Sequence, residues 1–421
     1  MPHHRPPPSR SVAVGTNPER TRSHNRRVVL ETVRQHGLLG RSDIAALTRL
    51  TAQAVSNIVA ELVEEGFLVE QGRRRTARGQ PPVELAVNPD GGMTAGMEIA
   101  TDHVTTVLVD LAGRIRAQRS ASLDDVTIKG VQRLAAAELA QARGAAGLPK
   151  RLLGCGVVMP GPFEVEGMNS VGSSPLPGWA GQDAEQLLTE ALGTPVTIEN
   201  DATAAAVGEH LHGLGRNLRH FCQIYFGTGL GLGVIVAGQP YRGAFGNAGE
   251  IGHIPVVRGG LACACGGQGC LERYASVHAL TETLRAAGIA DTGPDEIARL
   301  HEQGHPALLG WIAEAAGLLA PIVAMLENLF DPETVILGGG MPDGVIDALI
   351  SAMSPLPVSV ANRRGRTIAR VQRGATGRLT AALGAAALPL LDTMTAKLDR
   401  VAVVQDSMTA EGAAPSPDPA P

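Results

Sequence analysis

His253, Cys263, Cys265 and Cys270 place one imidazole and three thiolates in a single short stretch of the chain. That donor set suits zinc, a borderline-soft ion that takes four such ligands as a tetrahedron. Four protein ligands leave no position for water, so the expected role is structural, with one ion per chain. Three of the five cysteines fall within eight residues, which is no secreted disulfide framework; ligation in a reducing compartment is the reading that fits. Reduced thiols without metal, or a redox pair, are the alternative. Cys155 and Cys222 lie in apolar runs and read as core residues.

Two glycine runs offer a second kind of chemistry. In GTGLGLG, Gly227, Thr228, Gly229, Gly231 and Gly233 can turn backbone N–H groups toward a phosphate, and in ILGGG, Gly338, Gly339 and Gly340 allow close approach of a nucleotide. Tight turns without a ligand use the same glycines. The phosphate-loop pattern GxxxxGK[ST] is absent, and only three lysines stand against 33 arginines. ENDATAAAVGE puts Glu199, Asn200 and Asp201 where a strand ends and a helix begins. A carboxylate and an amide there can bind sugar hydroxyls; in a kinase, Asp201 could accept the proton of the attacking hydroxyl. Simple helix capping by Asp201 is the plainer alternative.

The elements that hold these residues come from 421 residues and 43.6 kDa, enough for two or three domains with cores of their own. A 44% hydrophobic and 18% charged composition fits a folded soluble chain, and 3% aromatics argue against a base-stacking surface. The net charge of -5 is unevenly spread: residues 1–90 carry 13 Arg against 9 Asp and Glu, so the remainder carries about -9. That change of sign implies two units with different partners. No apolar leader opens the chain, and later apolar stretches are broken by charge, Gly or Pro, so neither secretion nor membrane spanning is expected.

Residues 1–23, rich in Pro, Arg, Ser and His, read as a disordered basic arm. From Arg26 a helical period runs to Gly37, and a second short helix is expected after Ser42 as its cap. The third, TAQAVSNIVAELVEEG, is capped by Thr51, closed by Gly66, turns Val55, Ile58, Val59, Leu62 and Val63 inward and leaves Gln53, Ser56 and Asn57 outside. FLVE (67–70) and VELAV (83–87) pair across a loop containing Arg73, Arg74, Arg75 and Arg78. Three helices and a basic hairpin over residues 24–88 make a winged helix-turn-helix. Its third helix would meet base edges through Gln53, Ser56 and Asn57, and its arginines would meet phosphates or the minor groove. A solvated face with an arginine cluster is the competing explanation.

After a polar boundary near Asn88 the pattern is mixed α/β. MTAGMEIA and VTTVLVDLAG suggest a hairpin turning at Ala112 and Gly113; LLGCGVVM and PVTIEN read as strands separated by a helix over DAEQLLTEAL. Two apolar strands flank the first glycine run, residues 307–330 are helical, ETVILGGG is a strand and loop, and an alanine-rich helix spans about 380–391. Residues 404–421 read as a disordered tail. No internal repeat stands out.

GEIGH (249–253) followed by CACGGQGCLE (263–272) resembles the ROK family of repressors, uncharacterised reading frames and sugar kinases, with MPG (159–161), ENDATAAA, GTGLGLG and ILGGG in support. The resemblance implies a two-lobed actin-like fold of the sugar kinase and ribonuclease H-like ATPase kind over residues 89–403, with a sugar between the lobes. It implies sugar contacts at Asn200, Asp201, Glu250, His253 and Glu272, with His253 serving both zinc and ligand. With an N-terminal DNA-binding unit, it also implies a transcriptional regulator, a homodimer or homotetramer on double-stranded operator DNA in the cytoplasm, repressing sugar-utilisation genes until a sugar or sugar phosphate binds. One departure bears on the enzyme alternative: the family's kinases carry Asp-x-Gly-Gly-Thr where this chain has Glu98, Ile99, Ala100, Thr101 and Asp102. Larger side chains in place of adjacent glycines crowd phosphates. An ATP- and magnesium-dependent sugar kinase that also binds DNA, with Asp201 as base, and a DNA-binding scaffold without a sugar are the alternatives.

Overall fold

The computed structural model describes residues 18–73, 83–147, 151–159, 176, 178–179, 181–244, 246–363 and 365–393. Helices α1 (Pro18–His36), α2 (Arg41–Thr48) and α3 (Ala52–Glu64) are followed by the antiparallel pair β1 (Leu68–Arg73) and β2 (Val83–Val87). Thr51 caps α3, accepting from Ala54 N, and Gly66 leaves it at φ +81°. Val29, Val33, Ile44, Val55, Val59, Leu62 and Leu85 form the buried centre of this unit. Val63 is only half-buried.

Two local expectations fail here. Residues 18–23, expected to be disordered, belong to α1; Arg22 and Arg26 reach across to Glu61 of α3, and Arg26 also bonds Glu65 at 2.7 Å. Ser42 does not cap α2. The helix begins one residue earlier on Gly40, whose N–H is taken by the Asp43 carboxylate at 3.0 Å.

The rest of the described residues build two five-stranded sheets. In the first lobe the order is β5 (Ile115–Ser122), β4 (His103–Asp110), β3 (Met93–Ile99), β6 (Leu152–Val158), β7 (Val196–Glu199), flanked by α4 (Ile128–Ala145) and α5 (Ala184–Leu192). In the second it is β10 (Gln239–Pro240), β9 (Leu230–Val236), β8 (Phe221–Phe226), β11 (Thr334–Gly339), β12 (Val371–Arg373). Each sheet has two antiparallel pairings followed by two parallel ones, in the same chain order. The core is therefore one connectivity used twice, a repeat invisible in the sequence. The turn at Ala112 and Gly113 is where β4 enters β5, while β3 and β4 meet at Ala100–Asp102. IRAQRSAS was not expected as a strand because it is an edge with alternate residues exposed.

Lobe 2 is completed by α7 (Glu272–Ala275), α8 (Val277–Ala286), α9 (Pro294–Glu302), α10 (Pro306–Phe330) and α11 (Asp343–Ala352). Among the described residues α10 alone is long and apolar enough to cross a membrane, and over half of it is buried against this lobe.

Between the sheets run α6 (Asp201–His212) and α12 (Thr380–Thr393). α12 lies on β3 and β6, where a methyl on Gly96 or Gly156 would fall 1.9 or 1.8 Å from the carbonyl oxygens of Ala382 and Ala385. α6 lies on β9 in the same manner at Gly233, and the two helices cross at Gly208 and Gly384. The first unit is not separate from this core: Leu111 and Leu153 of lobe 1 share its apolar cluster.

A methyl on Gly384 would sit 1.7 Å from Ala204 O, whereas one on Gly317 of α10 would meet nothing within 4 Å. Gly384→Ala is expected to destabilise the chain by at least about 1–3 kcal/mol through overpacking. Gly317→Ala is expected to stabilise it by about 0.5–1 kcal/mol through helix propensity. Chemical denaturation of both variants checks the contrast; equal effects would mean the crossing is not tight.

Candidate functional site

The parallel strands bring the chemistry to one end. β7 ends at Glu199 and α6 starts at Asp201, so Asn200 becomes the cap: its side chain accepts from Thr203 N at 3.1 Å. Capping is thus the work of Asn200 rather than Asp201, whose carboxylate accepts from Ala202 N at 2.7 Å and otherwise faces the glycine turn between β8 and β9. A methyl on Gly227 would lie 3.3 Å from Asp201 Oδ2, and one on Gly229 3.1 Å from Glu272 Oε2. The turn therefore threads between these two carboxylates. Gly338–Gly340 sits beside it, because β11 pairs in parallel with β8 and Gly340 N donates to Phe226 O at 2.6 Å.

Glu250 and His253 lie in or beside the 3₁₀ turn Ile251–His253, and Glu272 opens α7. The His253 ring has two neighbours: Nδ1 lies 3.6 Å from Cys263 Sγ and 3.5 Å from Glu272 Oε1, while Nε2 faces Glu250 at 4.0 Å. All four donor atoms of His253, Cys263, Cys265 and Cys270 lie within 4.8 Å of one another, with the Cys265 and Cys270 sulfurs 3.7 Å apart. Zinc–sulfur bonds of about 2.3 Å at tetrahedral angles put two sulfurs roughly 3.8 Å apart, so the residues fit the ion. The loop is held by bridges Pro255–Cys270 and Ala262–Gln268, and by Gly269, where a methyl would strike Val257 O at 1.7 Å. Glu272 Oε1 is also 3.1 Å from Cys263 Sγ, which ties this carboxylate to the candidate metal loop.

The cleft is electrostatically crowded. Burial raises the Asp201 carboxyl above its ordinary range. Glu250 is raised by partial burial, with Asp201 and Glu272 adding and His253 opposing. Glu98, at the end of β3, is raised by burial and accepts a 2.7 Å hydrogen bond from Tyr225 Oη, which lies on β8 in the other lobe. This bond joins the two lobes. Tyr225 was not singled out in the sequence, where a tyrosine inside FCQIYF reads as core. Glu199 was noted, but its place is structural: it accepts from Arg242 at 2.6 Å and anchors the loop before Glu250. The turn replacing the kinase glycines is closed by Ala100 N donating to His103 O and by the Asp102–His103 pair at 2.7 Å.

On the first unit, Gln53, Ser56 and Asn57 are exposed on one face of α3, and Gln53 Nε2 donates to Asn57 Oδ1 at 2.9 Å. Arg73 ends β1; Arg74, Arg75 and Arg78, like Pro160, Gly161 and the tail after Thr393, lie outside the described residues. Cys155 and Cys222 are buried in strands, their thiols pushed up to about 12 by burial.

A family model described as the ROK family matches residues 94–390. The xylose repressor of Caldicellulosiruptor bescii is 30% identical over 329 residues, 75% of this chain and 82% of the repressor. A glucokinase of Streptomyces coelicolor is 33% identical over 271 residues, 60% of this chain and 83% of the kinase. Among solved structures, a ROK family transcriptional regulator described as a homologue of the E. coli MLC protein superposes with a TM-score of 0.69 at 22% identity, over 88% of this chain and 96% of its own. The ROK family glucokinase from Streptomyces griseus in complex with glucose and AMPPNP gives 0.61 at 30% identity, over 72% of this chain and 100% of its own. The regulator's likeness is one of fold, and its span is too long to lie wholly outside residues 1–88.

Protein purified without added metal is expected to hold about one zinc per chain, and Cys265→Ser to lose it, as elemental analysis would report. For Glu98, the raised folded-state value means that its neutral form stabilises the chain below the ordinary 4.5 and that this is lost as pH rises through the folded value. Glu98→Gln keeps an acceptor for Tyr225 and cannot ionise. Its melting temperature relative to wild type is expected to climb from pH 5 to pH 8; a flat difference would count against a strained carboxylate.

Proposed function

Because this chain belongs to the ROK family, we propose that it is a sugar-responsive DNA-binding regulator, a repressor of sugar-utilisation genes that a sugar or sugar phosphate releases from its operator. The observation that supports this most is the N-terminal unit: three helices and a hairpin, with a neutral amide-bearing face on α3, packed onto lobe 1 through Leu111 and Leu153. We read residues 24–88 as a winged helix-turn-helix whose α3 enters the major groove, with Arg73, Arg74, Arg75 and Arg78 on the flanking phosphates.

In this reading the sugar lies between the lobes, its hydroxyls donating to Asp201, Glu250 and Glu272 and meeting Asn200 and His253 Nε2. Cys263, Cys265, Cys270 and His253 Nδ1 would hold zinc, which fixes the loop leading to Glu272. The N-terminal unit moves with lobe 1, while its contact with lobe 2 is lighter: Arg27 of α1 donates to Gln239 of β10 at 3.4 Å. Closure of the lobes on a sugar shifts that second contact and alters the spacing of two DNA-binding units in a homodimer. Such a shift requires that the sugar bind one arrangement better than the other.

The kinase reading draws on the convergence of Asp201 with both glycine turns, and one set of measurements separates it. Wild type is expected to produce no sugar-dependent ADP with magnesium, because Ala100 and Thr101 narrow the phosphate turn. Asp201→Ala is expected to weaken sugar binding about 10- to 100-fold by removing a charged acceptor and to abolish the sugar-dependent change in DNA affinity, leaving sugar-free binding intact. Robust ADP production lost in Asp201→Ala would establish the enzyme instead. Arg73→Ala with Arg75→Ala is expected to weaken all DNA sequences alike and flatten the salt dependence, and Asn57→Ala to change sequence preference.

A further inference from the structure

Behind the crossing of α6 and α12, at the ends of these helices away from Asp201, the packing leaves a cavity of about 130 Å³. Its wall comes from every body that the proposed function sets in motion: Leu30 of α1, Val109 and Leu111 of lobe 1, Val207 of α6, Ile235 of lobe 2 and Ala387 of α12. All six side chains are buried, yet they do not fill the space between them. The charged groups that also line it are engaged with protein partners: Arg34 with Glu31 at 2.7 Å, Arg27 with Gln239, and Asp110 with Arg114 at 3.0 Å. The His212 ring beside them is pushed down to about 4 by burial, with Arg34 and Arg216 adding, so this imidazole adds no charge at neutral pH. The apolar part of the cavity is close in size to the roughly 150 Å³ apolar cavities that accept a guest the size of benzene, although it opens on one side to solvent.

We propose that this cavity is a second ligand site, for an uncharged apolar molecule no larger than one six-membered ring, and that its occupation biases the coupling between the lobes and the DNA-binding unit. The wall is complete only while α1 rests on both lobes. A guest therefore binds this arrangement better than one in which α1 or lobe 2 has moved, and stabilises it by that difference. The proposal adds a ligand to the regulator described above, at a place that shares no residue with the sugar cleft.

The experiment titrates the full-length protein with benzene and follows its melting temperature and its affinity for duplex DNA. A saturable rise of about 2 °C and a change in DNA affinity of threefold or more are expected. Ala387→Leu and Val207→Leu, which fill the space from two different walls, should lose both effects and keep the sugar response. Leu30→Ala, which enlarges the space, should admit indole. No saturable response in wild type overturns the proposal, as does a response that survives in both filling variants. A benzene response in a protein that ignores every sugar supports the cavity site and counts against the sugar-sensing reading alone.

Discussion

The crossing of α6 over α12 is the contact on which the rest of the molecule depends. Each helix lies on the sheet of one lobe, and where they meet, Gly208 and Gly384 bring backbone against backbone: a methyl on either would fall within 2.2 Å of a carbonyl oxygen of the other helix. Glu209, buried beside this crossing, has its carboxylate taken by Leu214 N at 2.8 Å and by Thr376 N at 2.7 Å, and Thr380 Oγ1 donates to Ala205 O at 3.1 Å. A buried carboxyl group so fully hydrogen-bonded fixes the geometry rather than loosening it. Both ends of α6 inherit that placement. Its N-terminus delivers Asn200 and Asp201 to the cleft, and its C-terminus carries His210 and His212 to the junction with α1.

This arrangement makes the two lobes differ in how they hold the N-terminal unit. Lobe 1 shares an apolar cluster with it, so separating them exposes Leu111 and Leu153 to water at the usual cost of burial lost. Lobe 2 meets it where Arg27 of α1 donates to Gln239 of β10 and where Leu30 and Ile235 line one cavity. In the proposed reading, this difference is what would let a change of lobe angle be felt at α1.

The parts of this design legible in the sequence were those whose chemistry constrains spacing. Three thiolates and an imidazole close enough for one ion have few other uses, and GTGLGLG and ILGGG mark the ends of parallel strands that must leave room for backbone. The ridge of Val55, Ile58, Val59 and Leu62 fixed α3 because helical period and burial agree. What stayed hidden depends on topology rather than composition. The repeated sheet order leaves no trace, because β10 has only two residues and β12 three against eight and four in the other lobe. Tyr225 sits in an apolar strand, and its hydroxyl gains meaning only when β8 is placed opposite Glu98. Arg242 and Glu199 are 43 positions apart and meet only after α6 and β8 are folded. Ser42 had the right chemistry for a cap but lost to Gly40, where the Asp43 carboxylate reaches back to the backbone.

The cleft itself argues for the kind of ligand it favours. Glu98, Asp201, Glu250 and Glu272 converge there, and the first three are held above their ordinary protonation range by burial. Removing such groups from water is costly unless donors replace the lost hydrogen bonds. In the proposed reading a sugar brings several hydroxyl donors and no charge, and so would satisfy Asp201, Glu250 and Glu272 directly. A phosphate brings acceptors and negative charge to the same place and must come with cations to be tolerated. In the first phosphate turn the chain supplies Ala100, Thr101 and Asp102 instead of open glycine backbone, with Glu98 already occupied by Tyr225 across the lobes. In the proposed reading an unphosphorylated sugar is therefore the ligand that meets least electrostatic opposition, since each hydroxyl it donates relieves one of the carboxyls that crowd together here.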